Sequence, residues 1–581
     1  MKIARLAVLF DRQAAERRWQ YGLNAFERYV GELLNDAGIP YAWLDDVAQL
    51  KQASYDLVIA ALTDESARTA AALWEYAEQG GTLISYGGVN ALALKLGYAM
   101  ESPAGPGYAK WGAGYPKAEA VRFLRAQPWR EAKEPAPCSA FGALALSSPN
   151  GDPAGAARLR FTIGAGVLDR FAVDVADTIV RLQQGGMPVL EDGAPAPDGS
   201  APLDDSILKA DDQSAMDWIW DRRTTETGVP YFAYPHADYW REIVIGHLLK
   251  TAADQGLTLP FIGRWPEGVE RVAMISHDSD GNKDEYALTT LELMKEVGVQ
   301  SSWCMLEPGY SKPVYDLIKR DGHELAFHYN ALESQKGRWD AEEFARQFAW
   351  LTEAAGVNEV ASNKNHYTRF EGWGELFAFC ESHGIQTDQT RGPSKKGNVG
   401  FLFGTCHPYV PVAWSNERNR SYDVLEIGFL TQDLDLSDHW ADSSVIAPFL
   451  EGVADVDGVA HFLFHQIHIQ KHESVRNALR RVVSEARERG YVFWTGKQIN
   501  DWQRARRNIS IAALDDSGAV ETASGQPIPA GAFAWVPVPD GATVQDEDTE
   551  THFGVVCVKR PLRSASGSIK REDDLHVQTG H

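Results

Sequence analysis

VAMISHDSDG, residues 272–281, decides the reading of this chain. Four apolar residues run into Ser276, His277, Asp278, Ser279, Asp280 and Gly281. A short apolar run closed by a glycine turn reads as a buried strand. If the chain stays extended, Asp278 and Asp280 point to the same side. Two carboxylates that close repel each other unless a proton or a cation sits between them. A metal ion with one aspartate as ligand and the other as base removes the conflict. A calcium loop is the competing reading, but the EF-hand continuation lacks a glutamate at loop position twelve.

Working outward, GHELAFHYN (322–330) is a second strand ending at His328, and ASNKNHYTRFEGW (361–373) carries His366. HFLFHQIH (461–468) is a late strand that reaches His465. Stretches with helical spacing, 286–297, 344–355 and 474–489, separate these strands. Strands alternating with helices over residues 270–505 predict a parallel barrel, with its chemistry at the C-terminal strand ends. Imidazole at such an end is a common metal ligand. His323 lies five residues before His328 and is not expected to share the site. His461 and His465 share a strand face, whereas His468 and His472 read as helix-start or surface residues.

Taken in order, HDSDG, GHELAFH, FLFHQ and GYVFWTGKQI resemble the motifs of the polysaccharide deacetylase superfamily (carbohydrate esterase family 4, the NodB-homology fold). The resemblance spans residues 270–505. It implies a distorted (β/α) barrel, a base at Asp278, metal ligands at Asp280 and His328, and a general acid at His465. The family's second motif has two histidines four apart, and position 332 here is Leu332. Asn330, Glu333 and His366 are the candidates for the missing ligand, and His366 is favoured because it preserves the imidazole. The resemblance further implies a divalent metal, zinc, and an acetylated sugar or oligosaccharide as substrate, with Asn330, Asp388 and Arg391 at the substrate. Two other functions stay open. One is metal-dependent hydrolysis of another C–N bond, such as a cyclic amide. The other is non-catalytic carbohydrate binding, for which Leu332 is the motive.

Residues 6–10, 55–62 and 82–86 read as buried strands, and 21–36 and 65–79 as helices, giving parallel βα units. EQGGTLISYGG (78–88) resembles the flavodoxin-like, glutamine-amidotransferase-like domains. Glutaminase chemistry needs a cysteine nucleophile after that strand. Here stand Ser85, Gly87 and Gly88, and no cysteine precedes Cys138, so a scaffold or homo-oligomer surface is expected. Further strands are expected at 158–163 and 171–175.

The expected architecture is therefore α/β. A flavodoxin-like parallel-sheet domain (1–187) is followed by a linker and mostly helical connector (188–262), in which His236 and Asp238 read as docking residues. The deacetylase-type barrel (263–506), a small C-terminal β domain (507–565) and a polar tail (566–581) complete it. Within the barrel, 391–409 reads as either a lid or ordinary packing.

The 581 residues carry a formal net charge of −24, which disfavours nucleic acid and anionic membranes as partners. Five cysteines without a CxxC disfavour a disulfide framework or a thiolate zinc site. The first apolar run ends at Asp11 and Arg12, short for a signal peptide. No apolar run reaches the roughly 18 residues of a membrane span. A soluble, cytoplasmic protein is the expectation.

Overall fold

The computed structural model describes residues 1–112, 120–201, 207–437, 441–515, 518–539 and 549–565. The polar tail expected at 566–581 lies outside them.

The central unit is a ring of parallel strands taken in chain order: β1 (Arg271–Asp278), β2 (Ser302–Met305), β3 (Glu324–Tyr329), β4 (Ser362–Asn365), β5 (Thr387–Asp388), β6 (Leu425–Glu426), β7 (Thr431–Gln432) and β8 (Val459–His465). β8 pairs back onto β1 along its whole length, from Val272 opposite Val459 to Asp278 opposite His465. No pairing joins β6 to β7 among the described residues, so the ring is open there. A ninth strand, Tyr491–Phe493, pairs with the lower end of β1. Val272, Ala273, Met274 and Ile275 are fully buried. Complete burial of an aliphatic side chain of this size is worth ~1.5–3 kcal/mol, so β1 is anchored at its base and delivers Asp278 to its free end.

The N-terminal sheet departs from the expectation in its second half. Strands Ala42–Leu44, Leu6–Phe10, Leu57–Leu62, Thr82–Tyr86 and Gly166–Phe171 are parallel neighbours. Beyond them Pro153–Ile163, Cys138–Leu146, Gly107–Lys110 and Val121–Phe123 continue the same sheet antiparallel. The sheet is mixed, not parallel throughout. The strand expected at 171–175 ends at Phe171 instead, and Asp174 caps a helix from Val175 to Gln184.

The connector is less helical than its composition suggests. One helix, His236–Ala253, follows a short hairpin of Arg222–Thr224 and Pro230–Phe232. Residues 188–201 are irregular, but they do not hang free: Val189 exchanges backbone hydrogen bonds with Gly372. His236 is buried with Nε2 2.9 Å from Asp221, and Asp238 accepts from Thr405 Oγ1 and the Cys406 amide. Both act as docking residues. Phe261–Ile262, ahead of the barrel, pairs with Phe533–Pro537, so the C-terminal sheet includes a strand from the connector. Among the described residues no helix is long and apolar enough to cross a membrane.

Candidate metal centre

The ring closure between β8 and β1 sets Asp278 beside His465, and the β3–β4 pairing sets His328 beside Lys364. After β1 the chain turns through Asp280 and Gly281, the latter at φ +77°, which suits glycine. After β4 it turns through His366. Four strand ends thus converge.

Nε2 of His328 lies 3.6 Å from Asp280 Oδ1 and 3.7 Å from Asp278 Oδ2. Nε2 of His366 lies 3.3 Å from Asp280 Oδ2. One ligand atom from each of Asp280, His328 and His366 falls within 4.8 Å of the other two. Ligands 2.0–2.2 Å from a tetrahedral zinc stand roughly 3.4 Å apart, so the trio has the right span.

Protonation states sharpen the point. His328 Nδ1 lies 2.8 Å from the Lys364 carbonyl oxygen. A carbonyl oxygen only accepts, so Nδ1 is the donor and a neutral His328 turns the lone pair of Nε2 toward the aspartates. His366 Nδ1 similarly faces Asn330 Oδ1 at 3.4 Å. Nε2 of His328 and Oδ1 of Asp280 are buried without a hydrogen-bond partner among the described residues. Lone pairs facing carboxylates in a dry site demand a proton or a cation between them. The donor set of two imidazoles and one carboxylate suits a divalent transition metal, zinc among them.

The remaining groups tune the aspartates. Burial pushes the Asp278 carboxyl up, but the Lys364 ammonium, with His328 and His465, outweighs it and holds Asp278 below the usual range. Lys364 is fully buried, 3.2 Å from Asp278 Oδ1, and donates to Ser276 Oγ at 2.6 Å. Burial also pushes Asp280 up, and His328 and His366, when they carry the proton between ring and carboxylate, reverse it to well below the usual range, with His465 adding to the effect. On the opposite side, His465 Nε2 is 3.8 Å from Asp278, while its Nδ1 is 2.5 Å from Asp433 Oδ2. Burial disfavours the imidazolium, yet Asp433, with Asp280 and Asp278, more than offsets this and raises His465 to about 10.

Asp278, Asp280, His328, His366 and His465 therefore come together in space. Asn330 stands behind His366, where it also accepts from the Leu332 amide. Leu332 is buried and offers no donor atom. Asp388 and Arg391, expected at the substrate, are both buried. Asp388 accepts from Asn363 and Thr390, and the Arg391 guanidinium lies over Phe370 at 4.5 Å and Phe403 at 5.3 Å. The Arg391 guanidinium nitrogens have no hydrogen-bond partner among the described residues. The 391–409 stretch is packing, not lid: Phe401, Leu402 and Phe403 are buried, and Ser394 and Lys395 bind Asp211 and Asp212 of the connector. His323 accepts from the Ser301 amide at the far end of β3. His461 bonds Ser276 Oγ at 2.8 Å, and burial drops it to about 3.

Sequence reasoning missed Lys364 and Asp433. Lys364 stands two residues before His366, so a strand ending at His366 would place the lysine inside the barrel, where it needs a carboxylate. Asp433 stands among several acids in TQDLDLSD, and nothing in the string singles it out.

No family model and no curated protein sequence matches the chain. Among solved structures, the chain is similar to a candidate polysaccharide deacetylase from Mycobacterium smegmatis at 16% identity and a TM-score of 0.32, covering 42% of this chain and 93% of that one. It is similar to the Xyl-CE4 domain of a multidomain xylanase from the hindgut metagenome of Trinervitermes trinervoides at 13% identity and a TM-score of 0.24, covering 40% and 92%. It is also similar to PuuE allantoinase at 12% identity and a TM-score of 0.30, covering 42% and 92%.

Proposed function

We propose that the chain is a metal-dependent hydrolase that removes acetyl groups from an acetylated carbohydrate. The observation that supports it is the convergence of one carboxylate and two imidazoles, with orphaned atoms facing inward, between a second carboxylate and a charged histidine. Asp280, His328 and His366 would hold a divalent cation. When bound, such a cation polarises the acyl oxygen and makes water a better nucleophile at neutral pH.

The chain's own residues supply the proton transfers. Asp278, kept ionised by Lys364, accepts a proton from the attacking water. His465, kept protonated by Asp433, gives a proton to the departing amine or alcohol. An amine leaves poorly unless protonated, so an acid opposite the base is needed. Lys364 and Asp433 are positioning residues, because each acts through its neighbour. His366 answers the gap at Leu332 with a ligand of the same type, which weakens the motive for a non-catalytic binding role.

The test is release of acetate from acetylated oligosaccharides by the zinc-loaded protein, with Asp278→Asn and His465→Ala as controls. Acetate release by the wild type, reduced roughly 100-fold or more in each variant, supports the assignment. Equal turnover in all three rejects it. Opening of a cyclic amide without acetate release would move the substrate class and leave the site standing.

A further inference from the structure

The cluster on the far side of His465 offers a second set of metal ligands. Asp433, His465 and His468 each place one ligand atom within 4.8 Å of the others. Asp433 is buried, and its two oxygens face the His465 amide at 2.8 Å and the His465 Nδ1 at 2.5 Å. His468 sits in the short helix Gln466–Lys471, its ring 5.5 Å from that of His465 and nearly perpendicular to it. Nδ1 of His468 is buried and has no hydrogen-bond partner among the described residues. The ring of His472 stands 5.9 Å beyond that of His468.

We infer that Asp433, His465 and His468 form a second, weaker site for a divalent transition metal, and that its occupation switches the enzyme off. The donor set of two imidazoles and one carboxylate suits zinc. The inhibitory half of this inference rests on the function proposed above, because His465 belongs to both arrangements. Its Nε2 faces Asp278 and its Nδ1 faces Asp433. A cation at Nδ1 takes the place of the proton there and draws Asp433 away as a ligand. The ring would then keep only its Nε2 proton, and giving that up would leave an imidazolate instead of a neutral imidazole, so it would be a far weaker acid than the imidazolium. The site is weaker than the first because the Asp433–His465 hydrogen bond must be broken to fill it. The Asp280 trio gives up only the longer contact of 3.3 Å between His366 Nε2 and Asp280 Oδ2.

The trio and the second cluster share no ligand, so they can be separated by mutation. Zinc is titrated calorimetrically into the metal-free full-length protein and into His366→Ala, His468→Ala and His468→Gln. Turnover is followed in parallel as free zinc rises. The inference expects two binding events in the wild type, the weaker one surviving in His366→Ala and absent from both His468 variants. It further expects that excess zinc inhibits the wild type, and that the His468 variants keep basal turnover and resist inhibition at least 10-fold better. A weak event that persists in both His468 variants overturns the site. Inhibition that is unchanged in them overturns the switch. Loss of only the tight event from the wild type would overturn the function proposed above and leave this second site in place.

Discussion

Two buried charge clusters stand in contrast. In one, Asp36, on the N-terminal helix Tyr29–Ala37, meets four arginines: Arg264 at 2.6 Å, Arg241 and Arg506 at 2.9 Å, and Arg507 at 3.0 Å. These come from the segment before the barrel, from the connector helix and from the barrel's last helix, Gly496–Arg507. Both Asp36 oxygens are matched to permanent cations, and its carboxyl is held well below the usual range: burial pushes it up, and the arginines overcome that. In the other, Asp280 and Asp278 meet His328, whose inward Nε2 has no hydrogen-bond partner among the described residues, and Asp280 meets His366 at 3.3 Å. Guanidinium groups stay charged at any working pH, so the first cluster is a fixed clamp between units. Imidazoles with inward lone pairs make the second a place for an exchangeable cation.

Mutations can break that contrast. The largest effect is expected at Asp278→Asn, which should lower kcat by roughly 100- to 10,000-fold while zinc content holds. Near-normal turnover would remove Asp278 from the chemistry. Asp36→Ala should do the reverse. Leaving buried arginines without their carboxylate costs about 3–5 kcal/mol, read as a lower urea midpoint, while the folded fraction still binds zinc. Weakened zinc binding at full stability would contradict the division.

Smaller effects sharpen the second cluster. Lys364→Met removes the cation that depresses Asp278, so the acid limb of the pH–rate profile should move to higher pH. Asp433→Asn removes the largest favourable partner of the His465 charge, so the alkaline limb should move to lower pH. The same pair has a stability signature in metal-free protein. His465 is raised to about 10 in the folded state, so its stabilising contribution is full below its ordinary value near 6.5 and is lost as pH rises toward 10. Wild-type stability should therefore fall across that window, and Asp433→Asn should flatten the fall. A slope unchanged in the variant would count against the Asp433–His465 pair.

What was legible in the sequence follows from the same physics. HDSDG, His328 and His465 could be read because each ends a largely apolar strand, and a parallel barrel gathers such ends at one rim; His366 follows the polar strand Ser362–Asn365 and is read from its place after the gap at Leu332. Lys364 lies within β4 and Asp433 directly follows the two-residue β7; both act through neighbours, and only the register of the ring shows whom they touch. The antiparallel half of the N-terminal sheet was hidden for another reason. Gly107–Lys110 and Val121–Phe123 are too short to show a period, and Cys138–Leu146 is half exposed. The clamp at Asp36 joins residues 470 positions apart, a pairing that spacing along the chain does not announce. Leu332 shows the opposite case: a visible gap in a motif, answered by His366 from the next strand.

The central claim is that Asp280, His328 and His366 hold one tightly bound divalent cation, and the most direct test is zinc affinity and stoichiometry in the wild type and in His366→Ala. The expected result is one tight zinc per chain in the wild type, with affinity reduced at least 100-fold in the variant and folding unchanged. Equal stoichiometry and affinity in the two proteins would contradict it.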